Sequence, residues 1–198
     1  RIINNLMHNV ITHSQASAMR VRLTKQDDAM RLFVTDNGIG IPSEDVSTAF
    51  LRHATGKISN LEDLDKVETL GFRGEALASI AAVSRVTIFT KTKDEILGTK
   101  VILHAGKEVY HDAIGVSNGT SFVVEDVFYN TPARRKFMKS DGAEASSIID
   151  FVERMALFYS NISFRLINNG KDVFKTSGNS DVRATIESVY PIPEFKGL

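Results

Sequence analysis

The chain has 198 residues, enough for one α/β domain with a substantial core, and its 42% apolar and 24% charged residues are the balance of an ordinary globular protein. Its 24 Lys and Arg equal its 24 Asp and Glu, so no global basic field recruits nucleic acid and any such affinity has to come from a local patch. Cysteine is absent, which excludes a disulfide framework and Cys-based zinc sites and agrees with an expected cytoplasmic location; no apolar run reaches the roughly 18 residues that span a membrane.

In chain order, Ile2, Ile3, Leu6, Met7, Val10 and Ile11 fall on one side of a helix, and Asn4, Asn5, His8, Asn9 and Thr12 on the other. The chain opens inside this pattern without an initiating Met and reads as a fragment. Met19–Leu23 and Met30–Thr35 read as strands joined by a polar turn, Lys25-Gln26-Asp27-Asp28. The second strand breaks into the Gly-rich turn Asp36-Asn37-Gly38-Ile39-Gly40-Ile41-Pro42. A helix is expected over Ser43–Leu51 with Ser43 as its cap, then a loop over His53–Thr69 with a short helical piece near Leu61–Val67. Glu75–Val83 reads as a helix, and Arg85–Thr90, Thr99–His104 and Thr120–Val124 as strands. Thr131 and Pro132 are placed to open a further helix as N-cap and first helical residue. A longer helix covers about Ala145–Tyr159. Ile162–Ile167 and Val173–Thr176 form a hairpin around Asn168-Asn169-Gly170-Lys171, and Asp181–Val189 is a last short helix. Helices interleaved with antiparallel hairpins predict a mixed sheet with helices on one face.

Four segments carry residue types that a nucleotide site needs. Asn5 and Asn9 lie about 40° apart on the first helix, so both amides point the same way, and an amide oxygen is a good ligand for Mg²⁺; a solvated helix face is the alternative. Asp36 ends a buried strand, where a carboxylate can accept from an exocyclic amine, and Gly38 and Gly40 would let the backbone approach a flat base; an ordinary strand-to-helix turn reads the same. Leu70, Gly71, Phe72, Arg73 and Gly74 precede a helix N-terminus, which offers free N–H groups to phosphate, and Arg73 adds a cation. No G-x-x-x-x-G-K-S/T loop is present. Thr120 opens a strand and is a candidate support for Asp36, or a plain strand Thr.

In this order the four segments resemble the GHKL group of ATPases, which includes gyrase, the Hsp90 chaperone, histidine kinases and MutL. From about Ser43 the resemblance is to the MutL family of DNA mismatch repair proteins. It is carried by Arg52-His53-Ala54-Thr55-Gly56-Lys57-Ile58, by Leu70-Gly71-Phe72-Arg73-Gly74-Glu75-Ala76-Leu77, and by Phe128-Tyr129-Asn130-Thr131-Pro132-Ala133-Arg134-Arg135-Lys136-Phe137. The resemblance implies the Bergerat α/β fold, a two-layer sandwich with a mixed, mostly antiparallel sheet and helices on one face. It implies an ATP-binding domain over residues 1–190 and the start of a linker to a second domain at 191–198. It also implies that Asn9 ligates Mg²⁺, that Asp36 binds the adenine amine beside Gly38 and Gly40, and that Thr120 supports Asp36. His53 to Ile58, with Thr55 and Lys57 as ATP contacts, and Leu70 to Gly74 would form the lid and phosphate cradle. ATP binding would close a homodimer and signal to a MutS-like protein and to DNA; no membrane partner is implied.

The first 42 residues depart from the MutL pattern. The family helix reads E-L-V-E-N-S-L-D-A, and its leading Glu is the general base for water. Asn5 stands at that position here, and Thr12-His13 replaces D-A. The opening segment and Val34–Pro42 resemble a histidine kinase instead, which suggests either a joined chimera or a divergent natural sequence, with a kinase-type ATP-binding domain as the alternative function. An amide takes no proton from water at neutral pH, so Asn5 predicts Mg-ATP binding with weak hydrolysis. His8 points about 100° away from Asn9 and is not expected to replace the base. Arg134, Arg135, Lys136 and Lys139 form the dense basic run; at helical spacing Arg135 and Lys139 would share a face toward DNA phosphates, a solvated helix start being the alternative.

Overall fold

The computed structural model describes residues 2–26, 29–51 and 76–191. The first helix, α1 (Ile2–His13), buries Ile3, Leu6, Met7 and Val10, the stripe its periodicity demands. Each such side chain contributes roughly 2 kcal/mol of transfer free energy. Strands β1 (Ala18–Gln26) and β2 (Ala29–Asp36) pair antiparallel from Met19 opposite Asp36 to Gln26 opposite Ala29. The segment after β2 is a set of turns ending in a single 3-10 turn, Thr48–Phe50, and not the helix expected over Ser43–Leu51. Val46 and Phe50 anchor it in the core; the residue at the N-cap of the turn is Ser47 and not Ser43, whose N–H donates to the Glu95 carboxylate.

Helix α2 (Ala76–Ala81) leads into β3 (Arg85–Lys91), β4 (Gly98–His104), β5 (Lys107–Ile114) and β6 (Gly119–Glu125). Sequence periodicity passed over β5 because its residues are exposed almost throughout and show no inward–outward alternation. Pairing with β4 alone holds it at the sheet edge. Helix α3 (Pro132–Arg135) is one turn. Thr131 stands at its N-cap with Pro132 following, but the Thr131 hydroxyl makes no capping bond and is a buried oxygen without a partner among the described residues. Helix α4 (Asp141–Phe158) begins four residues before the expected Ala145, because the Ser140 hydroxyl accepts from the Ala143 N–H and fixes the start. Strands β7 (Ser163–Asn168) and β8 (Lys171–Lys175) form the expected hairpin, with Asn169 and Gly170 at φ of 48° and 79°, the pair of positive values a tight twisted turn requires. Helix α5 (Val182–Val189) is capped by Asp181, whose carboxylate accepts from the Ala184 N–H at 3.0 Å.

The strands make one eight-stranded sheet in the order β5-β4-β3-β6-β2-β1-β7-β8. Every pairing is antiparallel except β1 with β7. The helices cover one face. Alternation along the strands sends Met19, Val21, Leu23, Leu32, Val34, Val86, Ile88, Phe164 and Leu166 into the layer between sheet and helices. This two-layer Bergerat arrangement agrees with the sheet predicted from the element order. Among the described residues no helix is long and apolar enough to cross a membrane.

Candidate functional site

Among the described strand residues that are buried, the polar ones lie along one row. Register places Thr99 on β4 opposite Thr90 on β3, Thr90 opposite Thr120 on β6, and Thr120 opposite Asp36 on β2. All four are buried. A carboxylate and three hydroxyls buried in one row carry a desolvation cost that an apolar row would avoid, so the row is a candidate site.

Asp36 accepts from the Gly38 N–H at 2.8 Å. Burial pushes its carboxyl above the ordinary aspartate range, and bonds from the Gly38 and Thr120 backbone N–H groups pull partly the other way. Two N–H donors leave lone pairs on the carboxylate for a further donor. Thr120, the expected support for Asp36, is its cross-strand neighbour, and the Thr120 hydroxyl lies 3.1 Å from that of Thr90.

Gly38 and Gly40 were expected to make room for a base. Their immediate constraint is the protein's own backbone. A Cβ on Gly38 would sit 2.2 Å from the Ser14 carbonyl oxygen, and one on Gly40, whose φ is +76°, would sit 2.2 Å from the Lys91 carbonyl oxygen. The turn is thus pressed between the end of α1 and the end of β3. The Ile39 N–H donates to that same Ser14 carbonyl at 2.7 Å, the Asn37 side chain accepts from the Ser17 and Ala18 N–H groups, and the Ile41 N–H donates to the Thr90 hydroxyl at 2.8 Å. Ser14, Asn37 and Thr90 are parts of the site that sequence reading missed. Their partners lie between 19 and 49 residues away for Asn37 and Thr90, so no local motif signals them.

Asn5 and Asn9 are half-buried on α1, off its buried stripe. His8 is engaged within the same helix, its ring 3.5 Å from the Thr12 hydroxyl. Thr55, Lys57, Leu70, Gly71, Phe72, Arg73 and Gly74 lie outside the described residues, as do the helical piece at 61–67 and all but Pro191 of the expected linker. Arg134, Arg135 and Lys139 are exposed and not brought to the Asp36 row. Arg135 and Lys139 do not share a helical face: α3 stops at Arg135, and after Lys136 the amides of Phe137 and Met138 bond only three residues back.

Residues 1–125 match the model of the histidine kinase-, DNA gyrase B- and HSP90-like ATPase family. A DNA mismatch repair protein MutL of Agathobacter rectalis is 44% identical over 189 residues, 96% of this chain and 29% of that protein. The MutL of Lactococcus lactis subsp. cremoris is 43% identical over 198 residues, 100% of this chain and 30% of that protein, so the first 42 residues fall within a MutL alignment too. The chain therefore spans less than a third of the length of these relatives. Among solved structures, the Aquifex aeolicus MutL ATPase domain complexed with ADP superposes with a TM-score of 0.70 at 25% identity, covering 96% of this chain and 68% of that one. The N-terminal domain of a DNA repair protein superposes with a TM-score of 0.78 at 25% identity, covering 96% of this chain and 55% of that one.

Proposed function

The chain belongs to the histidine kinase-, DNA gyrase B- and HSP90-like ATPase family, with MutL proteins aligned along nearly its whole length, and on that premise we propose that it binds Mg-ATP with the adenine amine on Asp36. The observation that carries the reading is the buried carboxylate of Asp36 in a row of hydroxyls, with acceptor capacity left over. The donor set fits adenine: an amine supplies what two fixed backbone N–H groups leave unmet. The ADP held by the Aquifex domain supports the same reading. The segment from Thr55 and Lys57 to Leu70–Gly74 is the proposed cradle for the phosphates.

Among the described residues no three His, Asp or Glu side chains cluster to hold a metal. The Asn9 amide oxygen would hold Mg²⁺ together with phosphate oxygens and water, and the ion would neutralise phosphate charge. Asn5 offers an amide where a base is needed, so hydrolysis is weak and binding is the principal activity. In the full-length protein the domain acts as a nucleotide-gated dimerisation switch of mismatch repair, communicating with a MutS-like partner and DNA, with Arg134, Arg135 and Lys139 as exposed candidates for phosphate contact.

Calorimetric titration of the chain with Mg-ATP tests the reading, with Asp36→Asn as control. Saturable binding by the parent and a loss of about a hundredfold in Asp36→Asn are expected, since an amide can turn its own donor toward the base amine. A folded parent that ignores millimolar Mg-ATP overturns the proposal.

A further inference from the structure

The polar row contains two residues that neither the sequence motifs nor the family resemblance singled out, Thr90 and Thr99, and of these Thr90 touches Thr120. Thr90, on β3, is 1% exposed, and its hydroxyl has three neighbours. The Ile41 N–H donates to it at 2.8 Å, the Gly119 carbonyl accepts from it at 3.2 Å, and the Thr120 hydroxyl lies 3.1 Å away. A hydroxyl has one proton and two lone pairs. The three contacts are satisfied together in one arrangement only. Thr90 gives its proton to Gly119, and its two lone pairs accept from Ile41 and from Thr120. Thr120 must then be the donor in that pair, and its own lone pairs are left facing away from Thr90.

We propose that Thr90 is a positioning residue for base selectivity: by taking the Thr120 proton it keeps the Thr120 oxygen, beside the Asp36 carboxylate, as a pure acceptor. An acceptor pair in a buried place demands a donor from the base edge or from a water bound there. Adenine carries an amine at that position. A purine with a carbonyl at the same position brings a third acceptor and leaves it unpaired. The same hydroxyl ties the end of the Gly-rich turn, through Ile41, to the start of β6, so one side chain sets both the polarity and the position of the recognition edge.

Thr90→Val keeps the shape and removes the proton acceptor. Thr120 is then free to turn its proton toward the ligand. The inference rests on Asp36 as the adenine contact, and the experiment separates the two. Mg-ATP and Mg-GTP are titrated separately into the parent, Thr90→Val and Thr90→Ser, each checked for folding by circular dichroism. The parent should favour ATP. The ratio of ATP to GTP affinity should fall about tenfold in Thr90→Val, the worth of one hydrogen bond, and return to within about twofold of the parent in Thr90→Ser. A parent that binds neither nucleotide overturns both readings. A parent that binds ATP, with the same ratio in Thr90→Val or with Thr90→Ser behaving like Thr90→Val, overturns this one alone. NMR of the parent, which needs no variant to fold, supplies the second measurement. Slowly exchanging hydroxyl protons on both Thr90 and Thr120 are expected, and rapid exchange of the Thr120 proton with water overturns the proposal.

Discussion

Asp36, the proposed adenine contact, works against the fold that holds it. Burial raises its carboxyl pKa above 3.8, outweighing the Gly38 and Thr120 bonds that favour the charged form. The native state therefore holds that proton more tightly than the unfolded chain does. The contribution to stability is fully present below 3.8 and is lost as pH rises through the raised value, so at neutral pH the ionised carboxylate is a burden on the fold. Asp36→Asn removes the charge while keeping an oxygen for the Gly38 N–H. It should unfold at the same or a higher temperature than the parent even as nucleotide binding fails, and a clear drop in melting temperature would show that the ionised carboxylate supports the fold. Asn5 raises the converse question, since the proposed function puts an amide where a base would stand. Restoring a carboxylate in Asn5→Glu should raise the rate of phosphate release by about a hundredfold or more, the lower end of the range of about 10²–10⁴ that a positioned base contributes, with ATP affinity little changed. Unchanged turnover with intact binding would mean that no water is positioned for attack.

At the scale of elements, the turn after β2 is held by clamps at each end. Gly38 and Gly40 are glycines because Ser14 and Lys91 carbonyls occupy the space of a side chain, and Gly119, at φ +106°, approaches the Asp36 carbonyl in the same way. Downstream, Glu95 gathers the Thr92 N–H at 2.9 Å, the Ser43 N–H at 2.8 Å and the Thr92 hydroxyl at 2.8 Å. These bonds, the Thr92 N–H first, lower the Glu95 carboxyl from 4.5 to about 2. The clamp favours the folded arrangement above 4.5 and is lost as pH falls toward about 2. The amide resonances of Ser43 and Thr92 should therefore titrate together with a midpoint near that lower value, and Glu95→Gln should abolish the transition. A midpoint at the ordinary glutamate value would show that the carboxylate is not engaged.

On the scale of the molecule, the site is built at one end of central strands. β3, β6 and β2 are neighbours in the interior of the sheet, flanked by β4 and β5 on one side and by β1, β7 and β8 on the other. A ligand on Asp36 and Thr120 grips the strands whose separation amounts to unfolding of the domain, so binding energy is expressed as global stability. Mg-ATP at a hundred times its dissociation constant stabilises by about 2.7 kcal/mol, which for a chain of this size is a rise of about 5–10 °C in melting temperature. A scan showing binding by calorimetry but no thermal shift would mean that the nucleotide sits on a part of the chain that opens independently of the sheet.

Local chemistry was legible in the sequence because it depends on neighbours a few residues away. The α1 stripe follows from 3.6-residue periodicity, the β7–β8 hairpin from Asn169-Gly170, and the Asp181 cap from a carboxylate before a helical run. Asp36 at the end of a buried strand was readable for the same reason. Tertiary structure alone decided what depends on strands meeting. The parallel pairing of β1 with β7 joins segments far apart in the chain, and β5, with no buried face, owes its existence to β4. Pairing likewise put Thr90 beside Thr120 and under Ile41. A lone threonine in a strand carries no sign of this, because the direction of its proton is set by partners that only the assembled sheet supplies.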